Sequence, residues 1–303
     1  STCLVGSEMC IRDSSKSHPN NRVLRSDMPI TLQISLAMVL YLVATLLIVM
    51  HIRSTMSGEQ APPKKLYIRT AFLLGTIACL VHIAAAWQLG QTGTTFNFGL
   101  HTMATVVSAV VVGIFLLGSI ALPIRRLGVL VFPLTIASLL FTLLWNDAPL
   151  TVTNSSTAFK LHLLVSICAY AMLALAAVQA LLYSYQERQI KHRASPRMLM
   201  ALPPLQTMEV LLFRLAGMGF VLLTLTLASG AIFSQQIFGS PFIFKHHTIL
   251  ALLGWLVFAT LLYRRVRHGM RGSQAVLWTV GGFLLIQLGY FGTKIVSESL
   301  SVQ

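Results

Sequence analysis

The stretch FGSPFIFKHHTILALLGW, residues 238–255, sets Phe238, Phe242 and Phe244 ahead of Lys245, the adjacent pair His246 and His247, and an unbroken apolar run. His82, His101 and His162 are further histidines that lie within or beside apolar segments. A neutral imidazole is the commonest biological metal ligand. Imidazoles from different helices, with aromatics close by, suit haem: the iron takes axial imidazoles while aromatic and aliphatic side chains cover the macrocycle. The propionates need cations, which Lys245 or Lys294 can supply. The same residues also have a plainer reading, because a histidine at a helix mouth or a phenylalanine wedge in a loop is common at a headgroup interface.

The elements that must carry these side chains are membrane spans. The chain has 303 residues, of which 55% are hydrophobic and only 10% charged, with a mean hydropathy of +0.77. A soluble domain carries roughly a quarter of its residues charged. Apolar runs recur at about the 20-residue length that crosses a hydrocarbon core of roughly 30 Å. They predict eight spans, at 29–50, 68–89, 100–122, 127–145, 159–184, 210–233, 247–263 and 274–296, in an all-α membrane bundle.

A net charge of +14 raises the question of nucleic acid. The distribution argues for membrane orientation instead. Arg53, Lys64, Lys65 and Arg69, the pair Arg125 and Arg126, the group from Arg188 to Arg197, and the group from Arg264 to Arg271 follow spans 1, 3, 5 and 7. The opposite loops and the tail hold only Lys160, Lys245 and Lys294. This is a positive-inside pattern, in which the basic residues orient the protein and touch anionic lipid headgroups. It predicts a multi-pass membrane protein with both ends outside the cytoplasm.

In that orientation His51, His192 and His268 fall on the basic side, while His82, His101, His162, His246 and His247 fall in the outer half. His82 precedes Gln88, at the outer end of its span, by six residues, which is a depth of roughly 9 Å at 1.5 Å per residue. An ionisable ring at that depth needs a partner. No Asp or Glu lies mid-span, which removes the carboxylates on which proton- or sodium-coupled transport relies. Cys79 and Cys168 sit singly in their spans and no C-x-x-C occurs, against a thiol relay or zinc knuckle.

Residues 1–27 are polar and mixed in charge, without the apolar core of a signal peptide. The reading expects Met28 to open the native chain and the preceding segment to be a disordered upstream extension. Residues 28–303 then form a single membrane domain.

From Leu205 to Gly292 the chain resembles the core of the cytochrome c assembly family, the membrane haem-handling proteins of the CcsA and CcmC type. The resemblance is carried by TMEVLLFRLAGMGFVLLTLTLASGAIF (207–233), FGSPFIFKHHTILALLGWLVFATLLYRR (238–265) and the glycine-rich last span ending LGYFGTK (288–294), with KLHLLVSICAYAMLALAAVQALLY (160–183) upstream. The best-matching core is 160–294, and the pattern is similar to an eight-span inner-membrane branch of the family. In the family's synthases the loop carries a tryptophan-rich haem platform. Here Phe238, Phe242 and Phe244 stand in the tryptophan frame with Gly239 retained, and Lys245 replaces an acidic residue.

The resemblance implies a protein that binds haem b non-covalently near its outer face and supports haem handling or cytochrome complex assembly, with no reaction of its own. Its iron ligands are expected first among His82 and His162, then His246, then His247. Phe238, Phe242 and Phe244 would form the haem-facing wall, with Lys245 near a propionate. The family's second outward histidine, after the last span, is missing from YFGTKIVSESLSVQ. Membrane lipids and other cytochrome-assembly membrane proteins are the expected partners. Two alternatives stay open: a transporter or channel for a metal ion or small metabolite, and a scaffold that has lost haem. Discontinuous helices would favour transport, and Pro133 is the only proline central to a span.

Overall fold

The computed structural model describes residues 29–57, 64–92, 95–122, 124–145, 151–152, 156–192, 203–233 and 246–292. Eight helices run through them: α1 (Ile30–Ser57), α2 (Lys64–Gly90), α3 (Leu100–Ala121), α4 (Gly128–Leu144), α5 (Thr157–Lys191), α6 (Leu205–Ile232), α7 (His246–His268) and α8 (Gly272–Gln287). Seven of them are long and apolar enough to cross a membrane. The eighth expected span is α8, a regular helix of only 16 residues prolonged by a π-helical turn, Leu288–Gly292, that contains Gly289 and Gly292. The sequence from Gly272 to Gly292 still rises about 30 Å if helical throughout.

The helices pack as two rings. In the first, α1 touches α2 and α4, and α3 touches α2 and α4; in the second, α5 touches α6 and α8, and α7 touches α6 and α8. Contact between α3 and α5 joins the rings.

Lipid is as apolar as leucine, so close helix approach inside a bilayer depends on small residues and fitted side chains. The tight α5–α6 seam follows that rule. Ala169, Ala176, Ala177 and Ala180 on α5 and Ala216 on α6 are buried, and a Cβ on Gly219 would stand 2.5 Å from Leu173 Cδ2. The first ring is instead filled by aromatics. The fully buried Tyr41 and Phe132 stack at 5.3 Å, and Phe132 meets Phe115 edge-on at 5.7 Å. Pro133 interrupts nothing, since α4 is continuous across it.

At the end of the bundle that carries the α2–α3 and α4–α5 connections, a small antiparallel ribbon joins β1 (Gln91–Thr92), β2 (Thr95–Asn97) and β3 (Thr151–Val152) in that order. It is the one departure from an all-α bundle among the described residues. At the opposite, basic end Glu209 of α6 is only 5% exposed. It pairs with Arg265 of α7 and, at 3.1 Å, with Arg271 ahead of α8. Arg265 also donates to the Met270 carbonyl at 3.0 Å, so the α7–α8 turn is docked on α6.

Candidate functional site

His162 sits in the second turn of α5, whose start is fixed by the Ser156 side chain accepting from the Phe159 backbone N–H at 3.2 Å. Its ring lies against the C-terminal end of α6. His162 Nδ1 is 2.9 Å from Ser229 Oγ, and a Cβ on the next residue, Gly230, would come within 3.3 Å of His162 Cε1. One turn earlier, Phe159 packs edge-on against Phe98 at 5.5 Å, and Phe98 against Phe96 of β2 at 5.1 Å. The half-buried imidazole is therefore flanked by an aromatic group that links α5 to the ribbon.

Deeper on the α5–α8 face, Tyr170 packs against Phe283 at 5.3 Å and Phe291 at 6.1 Å. Gln287 falls between these two phenylalanines at four-residue spacing, hence on the same stripe. Its Oε1 is buried with no hydrogen-bond partner among the described residues. A buried amide oxygen left unpaired costs free energy, and a π-helical turn beginning one residue later often marks a functional position.

His82 occupies a different environment. It is fully buried in the first ring, with Tyr41 Oη of α1 3.4 Å from Nδ1 and Ser108 Oγ of α3 3.4 Å from Nε2. Both contacts are long for hydrogen bonds involving hydroxyls, but both ring nitrogens face a hydroxyl. His101 opens α3, where its Nε2 lies 3.3 Å from Thr102 Oγ1, and that hydroxyl also accepts from Asn97 Nδ2 at 3.1 Å.

The structure thus separates the expected ligands: His82 belongs to the first ring, as does His101, and His162 to the second. His246 and His247 are the first two residues of α7, the helix diagonal to α5 in the second ring. Phe238, Phe242, Phe244 and Lys245 lie outside the described residues, as do the side chains of His246 and His247.

Among the described residues no three His, Cys, Asp or Glu side chains gather as a metal site. Haem makes a lighter demand, since the macrocycle brings four nitrogens and asks the protein for axial ligands only. An imidazole seated at 2.9 Å, with an aromatic pair at the residue one turn earlier on its helix, fits that demand. A cleft of about 660 Å³ opens at the other end of the bundle, between Tyr183, Glu209, Arg271 and Ser273. It is remote from His162, and the Glu209 and Arg271 side chains in it pair with each other.

Sequence reasoning missed Ser229, Gly230, Phe98, Phe159 and Gln287. The ribbon aromatics had a faint signal in TFNFG, where Phe96 and Phe98 alternate at strand spacing. Ser229 and Gly230 are an adjacent small pair near the C-terminal end of α6, and only packing shows which histidine faces them.

Inner membrane protein YpjD of Escherichia coli K12 is 28% identical over 272 residues, covering 88% of this chain and 98% of its own length. A 28.8 kDa protein of Azospirillum brasilense, encoded in a nifR3-like 5′ region, is also 28% identical over 248 residues, covering 80% and 90%. The cytochrome c biogenesis protein CcsA of Chlamydomonas reinhardtii is 29% identical over 154 residues, covering 50% and 42%. Residues 70–301, most of both helix rings, match the family of cytochrome C assembly proteins, and the chain belongs to that family.

Proposed function

We propose that this multi-pass membrane protein binds haem b at the outer end of its second helix ring and serves haem handling in cytochrome c assembly. Family membership supports the role in cytochrome c biogenesis. The observation that carries the haem reading is His162, an imidazole held at 2.9 Å on Ser229 at the mouth of the α5–α8 ring.

His162 is proposed as one axial ligand and His246 as the other, with His247 as the substitute. Two imidazoles on diagonal helices would tie cofactor binding to the closure of the ring. Phe238, Phe242 and Phe244, in the loop directly ahead of α7, are proposed as the wall against the macrocycle, and Lys245 as the cation for a propionate. Because the sequence has no C-x-x-C-H attachment motif, binding is non-covalent. His82 takes a lesser part, since ligation there would displace Tyr41 or Ser108 from a ring nitrogen.

The positive-inside distribution supports a site on the periplasmic side, where a membrane partner in assembly would meet it. Bound haem supplies an iron centre; the chain's part is to hold, orient and screen it from water. An absorption spectrum of protein purified in mild detergent, as isolated and after dithionite, tests the reading. A Soret band with sharp reduced α and β bands, lost in His162→Ala, is expected. Colourless protein that also rejects added haemin, yet retains membrane partners on pull-down, would replace haem handling by scaffolding.

A further inference from the structure

Resting on the haem reading of His162, we infer that Ser229 is its positioning residue and selects the imidazole tautomer with the proton on Nδ1. The hydroxyl has one proton, and the geometry says where it goes. Ser229 Oγ donates to the Thr226 carbonyl one turn back on α6, at 3.1 Å. A carbonyl can only accept, so in the arrangement we infer the hydroxyl proton points to Thr226. At the 2.9 Å contact Ser229 Oγ is then the acceptor and His162 Nδ1–H the donor. The neutral ring consequently carries its lone pair on Nε2, the nitrogen presented for metal ligation, in the way that a partner on one ring nitrogen fixes the role of the other.

Gly230 completes the seat. A Cβ there would stand 3.3 Å from Cε1 and 3.9 Å from Nδ1 of His162, so the absence of that side chain lets the ring approach α6 this closely. On the backbone side, Ser166 Oγ, one turn along α5, donates to the His162 carbonyl at 2.6 Å. A histidine alone would sample several rotamers and both tautomers. Ser229 and Gly230 together leave one of each.

The test uses the full chain in detergent, with and without haemin. In the haem-free protein, nitrogen-15 spectra of labelled histidine, assigned by the signal lost in His162→Gln, are expected to give a protonated Nδ1 and an unprotonated Nε2. Ser229→Ala is expected to mix the tautomers, weaken haemin binding by about tenfold or more, and raise the haem reduction potential, because the ligand loses the hydrogen bond that made it a stronger donor. Ser229→Thr keeps the hydroxyl and restores all three. Ser229→Ala with parental tautomer, affinity and potential, while His162→Ala still loses haem, overturns the role of Ser229 and leaves the haem reading intact. Undiminished haem in His162→Ala overturns both.

Discussion

Glu209 on α6 lies between two guanidiniums, Arg265 of α7 and Arg271 at the head of α8, and it is the only carboxylate buried among the described residues. The Arg265 guanidinium also covers the Phe213 ring at 4.5 Å. Arg214, five residues further along the same helix, is exposed and takes no part in the clamp. Glu209→Ala leaves two cations facing an apolar seam. It is expected to destabilise the second ring by about 1–3 kcal/mol, since the partners of a lost buried group go unsatisfied. Thermal unfolding in detergent measures this, and an unchanged midpoint would mean that the α7–α8 turn is held by packing alone.

The centre of the first ring depends on a missing side chain. Phe132 of α4 crosses the ring so far that a Cβ on Gly75 of α2 would stand 2.7 Å from its Cζ. Gly75→Ala is expected to cost about 1–3 kcal/mol by overpacking. Phe132→Leu alone leaves a void. Combining the two should recover part of the loss, the signature of coupled neighbours. Additive effects in the same unfolding assay would show that α2 and α4 do not meet there.

His82 tests whether the first ring holds structure or cofactor. His82→Ala removes the partner of two hydroxyls, Tyr41 and Ser108, and is expected to lower stability by about 1–3 kcal/mol. Haem content per folded molecule should stay at the parental level. A fully folded His82→Gln that loses haem would instead move iron ligation into the first ring.

The spans were legible in the sequence because apolar runs of membrane length have no competing explanation, and seven of the eight correspond to helices of that length. What escaped was whatever hydropathy does not encode. The helix expected over 159–184 continues to Lys191, because polar residues extend it beyond the apolar run and Glu187 and Lys191 pair at 3.1 Å four residues apart. The ribbon has strands of two and three residues, too short for the faint alternation in TFNFG to predict a sheet. The histidines were found by type alone. Their separation into two rings was not, because it depends on which helices are neighbours. The His162–Ser229 contact spans 67 residues of sequence and is settled only by how α5 meets α6.

Haemin should act as a stabilising ligand through that same contact. A ligand bound only to the folded state raises stability by RT ln(1 + [L]/Kd), about 2.7 kcal/mol at a hundredfold excess over Kd. The parental chain is therefore expected to unfold at a higher temperature as haemin is added, with a shift that grows logarithmically with concentration. His162→Ala removes the axial imidazole but leaves the α5–α6 seam of alanines and Gly219 in place. It should keep close to parental stability without haemin and lose most of the shift. Gly230→Ala is the sharper probe. Its new methyl meets Cε1 most closely and pushes the ring by a few tenths of an ångström without removing either nitrogen, so it should reduce the haemin-dependent shift while leaving the apo midpoint nearly unchanged. Equal shifts in all three proteins would place haem, if bound, away from the outer end of α5.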